Sequence, residues 1–157
     1  MLLPLSLLAQ SDRKFVRSGN RDFKKGAYSE AEIDYKKGLL QDTLSNHAHY
    51  NLGNTLYKLE NYAEADKHYA AATDSLDKLG LGEDIYFNSG DSYLKQRNWS
   101  AAVEAFKNAL RRNPTDMDAK SNLAYAEKML ENDQQNQGGG GQNNDQNNDQ
   151  NNDQNQN

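Results

Sequence analysis

The chain has 157 residues, no cysteine, two prolines and 35% hydrophobic residues, with 18 basic and 23 acidic side chains and a formal charge of −5. Four of the acids lie in residues 132–157, a stretch of Asn, Gln, Asp and Gly alone, so residues 1–131 carry 18 bases against 19 acids. That balance excludes a globally basic nucleic-acid binder, and the missing cysteine excludes disulfide scaffolds, Cys-type zinc sites, Fe–S clusters and thiol nucleophiles.

The N-terminus reads Met-Leu-Leu-Pro-Leu-Ser-Leu-Leu-Ala-Gln and turns polar at Ser11. Its apolar run is far shorter than the roughly 20 residues that span a bilayer as a helix. With Ala9 as a small residue before a cut, residues 1–10 read as the remnant of a secretory signal that lacks its basic start. The other reading is an apolar extension that packs on the first helix. The first reading places the protein in the periplasm or cell envelope, the second in the cytoplasm. Next come Arg13, Arg17 and Arg21 at helical spacing, with Lys14, Lys24 and Lys25 alongside. This basic stripe suits anionic headgroups, and hence peripheral membrane contact, or an acidic partner. It equally suits pairing with Glu30, Glu32 and Asp34 of the following helix.

From here the sequence repeats. Gly19 and Gly53, Ala31 and Ala65, and Tyr35 and Tyr69 are each 34 residues apart, and a further copy carries Gly90, Ala102 and Phe106 after an inserted Gly80-Leu81-Gly82. The copies are 12–45, 46–79 and 83–116. This pattern resembles the tetratricopeptide repeat, a 34-residue helix–turn–helix with small residues at positions 8, 20 and 27 and a large one at 24. Position 27 holds Gly38, Ala72 and Ala109, and Pro114 falls where the motif often has proline. Small residues let the paired helices approach closely while the aromatic fills the space between them. The expected fold is all-α, a superhelix of three helical pairs over residues 11–131.

Asn61-Tyr-Ala-Glu64 and Thr115-Asp-Met-Asp118 read as helix starts with a capping side chain. Ser18 and Asp22 make the first copy more polar than the motif, as suits a terminal repeat. After the third copy, Ala119, Leu123, Ala126 and Leu130 form one apolar stripe opposite Asp118, Lys120, Asn122, Glu127, Lys128 and Glu131. Residues 117–131 are therefore expected to form a capping helix with a solvated outer face. Residues 132–157 have nothing to bury and are expected to be disordered.

Enzymatic motifs are wanting. Ser11–Lys14 and Ser75–Lys78 match a Ser-x-x-Lys pattern without its companions. His47 and His49 are two apart on an expected helix and so point to opposite sides, unable to chelate one ion. His68 has no carboxylate or imidazole partner at ligand spacing, and surface or helix-contact histidines are the structural reading. Gly80-Leu-Gly82 lacks the rest of a dinucleotide loop. No catalytic residue, metal site or cofactor is expected, and the chain reads as a binding protein rather than an enzyme.

The resemblance implies that the first helix of each pair lines a concave groove. The matching positions here are Val16, Asn20, Phe23 and Lys24, then Tyr50, Asn51, Asn54, Tyr57 and Lys58, then Phe87, Asn88, Asp91, Leu94 and Lys95. Side-chain amides donate and accept at once, which suits a peptide backbone. The aromatics offer contact area at low entropic cost, and the three lysines a line of positive charge. The same residues also suit an ordinary solvated surface. The carboxylate clamp of chaperone-associated relatives resembles this groove only at Asn20 and Asn51. Its cations are replaced by Val16, Asp84 and Asn88, which disfavours a cytosolic chaperone adaptor.

Residues 18–26 and 31–39, with Leu8-Ala-Gln10 before them, look like the tetratricopeptide proteins of the Bacteroides aerotolerance (Bat) group. That resemblance implies an exported module serving an envelope complex, with von Willebrand A-domain membrane proteins as partners. The alternative is a generic adaptor or scaffold of another assembly, cytosolic or envelope-bound.

Overall fold

A computed structural model describes the backbone of residues 5–138 and the side chains of residues 13–136. Among the described residues there are seven helices and no strand: α1 (Leu5–Lys24), α2 (Tyr28–Gln41), α3 (Asn46–Lys58), α4 (Tyr62–Lys78), α5 (Gly82–Lys95), α6 (Trp99–Arg112) and α7 (Met117–Gly138). Each helix packs on the next. The odd-numbered helices also touch one another in sequence, whereas α2, α4 and α6 do not meet. The odd helices therefore line the inside of the curve and the even ones its outside.

Helices turn back on themselves at equivalent points of each repeat. Gly26, Glu60 and Arg97, all at position 15 of their copies, have φ of +76°, +60° and +56°. The residue after each donates its N–H to a carbonyl five residues back: Ala27 to Asp22, Asn61 to Leu56 and Asn98 to Tyr93. This is the left-handed C-terminal cap that satisfies the last carbonyls of a helix. Glycine takes that conformation freely, while Glu60 and Arg97 each meet a penalty of about 1–2 kcal/mol. The inserted Gly80 (φ +77°) does the same for α4, with Leu81 bonded to Leu76.

The core follows the repeat. Ala31, Tyr35, Ala65, Tyr69, Ala102 and Phe106 are fully or almost fully buried, as are Ala72 and Ala109. A Cβ placed on Gly19, Gly53 or Gly90 would lie 2.7, 2.6 and 2.6 Å from the rings of Tyr35, Tyr69 and Phe106. The glycine at position 8 and the aromatic at position 24 are thus one unit of packing, with room for a single carbon framework between the helices.

Several local expectations change. Asn61 makes no side-chain cap bond. The α7 cap is Asp116, which accepts from Asp118 N and Ala119 N, while Thr115 bonds back to Asn113. Glu32 and Asp34 pair with Lys36 and Lys37 of their own helix rather than with the arginines of α1. Helix α7 runs seven residues beyond the expected end at Glu131, and the Trp99 indole N–H donates to Asp133 at 2.7 Å. The Asn/Gln-rich segment therefore starts as helix. Its residues 139–157, for which disorder is expected, lie outside the described residues, as do residues 1–4 of the signal-like stretch. From Leu5 that stretch forms the first turns of α1. Among the described residues no helix is long and apolar enough to cross a membrane.

Candidate functional site

On the concave face the asparagines are joined to one another. Asn20 Oδ1 accepts from the Tyr35 hydroxyl (2.7 Å) and from Asn51 Nδ2 (2.9 Å). One repeat later, Asn54 Oδ1 accepts from the Tyr69 hydroxyl (2.9 Å) and from Asn88 Nδ2 (3.0 Å), and Asn88 also donates to Tyr50 (3.0 Å). The third step places Asn122 Nδ2 on Asp91 Oδ1 at 2.9 Å. Position 9 of each repeat thus receives position 6 of the next, which locks the relative rotation of adjacent repeats through part-buried hydrogen bonds. Burial, helped by the charge of Asp22, pushes the Tyr35 phenol up to about 12, and burial raises Tyr69 further. Both remain hydroxyl donors across the physiological range.

These amides are half-buried, and the two carbonyls already hold two donors each. Their role in the free protein is to join repeats. The aromatics divide likewise. Phe87 stands edge-on to Phe106 with centroids 5.8 Å apart, and Tyr50 leans on Tyr69 at 6.3 Å. Tyr57 remains open to the groove, edge-on to Tyr62.

Two recesses follow one another along the concave face and share Tyr57 and Asp91. The first, about 220 Å³, is bounded by Phe23, Asn54, Lys58, Tyr69 and Asn88 besides the shared pair. The second, about 470 Å³, has Leu94, Trp99 and Tyr125 as apolar wall, with Lys95, Arg97 and Asn122 around it. The sequence positions Asn54, Tyr57, Lys58, Asn88, Asp91 and Lys95 are therefore brought together. Asn20, Tyr50 and Asn51 stand behind them in the ladder, Lys24 is exposed at the end of α1, and Phe87 is half-buried against the core.

Asn122, Tyr125, Trp99 and Arg97 were not among the expected groove residues. The apolar stripe puts Asn122 on the solvated face of the capping helix, yet it lies in the ladder. The signal was present: Asn122 follows Asp91 by 31 residues, as Asn51 follows Asn20. Helix α7 behaves as the first helix of a fourth, halved repeat.

Outside the groove, His68 meets an imidazole across the α3–α4 contact, at a spacing of 19 residues that is not a ligand spacing. His49 Nδ1 and His68 Nδ1 are 2.8 Å apart, and His49 Nε2 lies 3.0 Å from the Thr43 carbonyl. A carbonyl only accepts, so in the neutral pair His49 carries its hydrogen on Nε2 and His68 donates from Nδ1. A second added proton would set two N–H groups face to face. Burial and then His49 hold His68 below its ordinary value, with Glu64 opposing and Lys36 and Lys67 adding to the depression. The unfolded chain thus binds more protons than the fold once pH drops below the ordinary histidine range. Stability from this site is full above about pH 6.5 and is lost as pH falls through the folded value. We expect the melting temperature to be lower at pH 5 than at pH 7.5, and His68→Gln to remove the histidine share of that difference. An equal acid sensitivity in the variant would assign it to the carboxylates. Among the described residues no cluster of three or more ligands could hold a metal ion.

Residues 47–75 and 87–133 match the family described as tetratricopeptide repeat. Among solved structures, the chain is similar to the first repeat domain of Spaghetti (RPAP3) bound to an HSP90 peptide. The TM-score is 0.71 at 22% identity, covering 78% of this chain and 94% of that one. The first such domain of human RPAP3 gives a TM-score of 0.67 at 20% identity, covering 80% and 96%. A curated rice protein, DnaJ protein P58IPK homolog A (Oryza sativa subsp. japonica), is 29% identical over 121 residues, 74% of this chain. The match spans only a quarter of the rice protein's length. The chain has the tetratricopeptide fold and carries its repeats.

Proposed function

We propose that this tetratricopeptide-repeat chain is a non-catalytic interaction module that holds a peptide segment of a partner protein along its concave groove. The observation that carries the reading is the run of two recesses joined at Tyr57 and Asp91, aromatic in the middle and edged by Lys58 and Lys95. Peptide-bound neighbours of the same fold support it. The partner segment meets apolar surface at Tyr57, Leu94 and Tyr125, and places acidic groups on the lysines. A C-terminal Glu-Glu-Val-Asp fits poorly, because Val16, Asp84 and Asn88 stand where the carboxylate clamp needs cations. The resemblance over residues 8–131 to the aerotolerance group supports export and service in an envelope complex, with von Willebrand A-domain membrane proteins as candidate partners.

Partners recovered from envelope extracts, reduced to their binding segment and titrated by calorimetry, test this reading. Lys58 is exposed, so Lys58→Glu should leave folding intact. It should weaken binding about tenfold at low salt, with most of the loss screened at high salt. Wild-type affinity in this variant would move the site to another face. The second reading, an adaptor of a chaperone-linked assembly, draws on the rice DnaJ relatives and the HSP70-peptide complex of human RPAP3. Recovery of chaperones rather than envelope proteins would favour it.

A further inference from the structure

The third rung of the polar ladder differs from the first two in both of its members. In the first two, an asparagine carbonyl takes a tyrosine hydroxyl fifteen residues on and an amide of the next repeat. In the third, Asp91 stands in place of asparagine and Phe106 in place of tyrosine. Asp91 therefore receives Asn122 alone, and among the described residues it forms no ion pair. A carboxylate has about four acceptor positions, and this one is half-buried at the junction of the two recesses. Burial raises its carboxyl, with Asn122 and then Lys95 opposing. The rung has lost a donor and gained a charge, which leaves acceptor capacity directed at whatever occupies the groove.

We propose that Asp91 is a specificity-determining residue that seats a basic side chain of the bound segment, while an adjoining carboxylate of the same segment meets Lys95 and Arg97. This rests on the peptide-groove reading and states which segment the groove selects. The larger recess holds one acid and two bases, so a lone cation is repelled and a lone anion leaves Asp91 unanswered. An amphoteric segment answers both. Tyr57 and Tyr125 line the same recess, and aromatic rings there suit a guanidinium.

N-acetyl-arginine carries both groups, and N-acetyl-citrulline keeps its shape and carboxylate with a neutral end. Each is titrated into the ¹⁵N-labelled full chain and followed by amide shifts. N-acetyl-arginine should give saturable shifts at Asp91, Lys95 and Asn122 and bind about fivefold or more tighter than the citrulline analogue, as expected for a charge-assisted pair. Asp91→Asn should abolish that preference. It restores the residue type of the first two rungs, so the fold holds, as unchanged shifts elsewhere would verify. Phe106→Tyr should also reduce the preference, because its hydroxyl would occupy the carboxylate. The seat is refuted if N-acetyl-arginine moves no resonance in the recess, if the two probes bind alike, or if Asp91→Asn keeps the preference. A partner segment that shifts Asn54 and Lys58 equally in wild type and Asp91→Asn would refute the seat and leave the groove reading standing. A segment that shifts neither recess would remove both.

Discussion

Replacing Gly53 with valine is expected to lower the melting temperature by about 10 °C, the effect of about 3 kcal/mol in a domain of this size. Valine is a better helix former than glycine, which offsets the loss by a few tenths of a kcal/mol. The loss comes from space. A Cβ at residue 53 would lie 2.6 Å from Cε1 of Tyr69, and that ring is 1% exposed. It cannot swing aside, because its hydroxyl is tied to Asn54 and the tilted ring of Tyr50 packs beside it. The added isopropyl group therefore forces α3 away from α4, and the strain passes to both neighbouring repeats. Thermal unfolding followed by circular dichroism measures the effect. A variant that melts with the wild type would mean that Gly53 does not face Tyr69.

Asn54→Ala is expected to destabilise the fold by about 2–3 kcal/mol, measured by urea denaturation. The sequence places Asn54 at a groove position, where its side chain would face water and truncation would cost only binding. In the fold its carbonyl holds the Tyr69 hydroxyl and an Asn88 N–H. Removing it leaves a buried hydroxyl without an acceptor, which costs more than the net value of the bond. Asn88 keeps its bond to Tyr50, so the damage centres on Tyr69. Tyr69→Phe removes the orphaned donor, and in that background Asn54→Ala should cost much less. Equal costs in the two backgrounds would show that the bond contributes nothing. Binding assays with Asn54→Ala must therefore be read beside its stability, which is why the exposed Lys58 is the cleaner test of the groove.

What the repeat pattern determined by itself was the fold and most of the core. Gly53, Ala65, Tyr69 and Ala72 recur at fixed spacing because each repeat must solve the same packing problem, and a periodic constraint leaves a periodic trace. The helical turns at Gly26 and Gly80 were marked by glycine; those at Glu60 and Arg97 were not, since there the hydrogen bonds of the turn impose the left-handed conformation on residues that do not favour it. The groove positions were also legible as a set, because they share one face of the odd helices. Only the tertiary structure decided what those side chains do. A hydrogen bond between Asn54 and Asn88, or between Trp99 and Asp133, joins residues 34 apart, and a polar residue looks the same in sequence whether it meets water or another amide. The His49–His68 contact was hidden for the same reason: it forms across two helices whose relative rotation is set by the packing of Gly53 on Tyr69. The sequence spelled the spacing of small and large residues, and the distances between polar atoms existed only once that packing had closed.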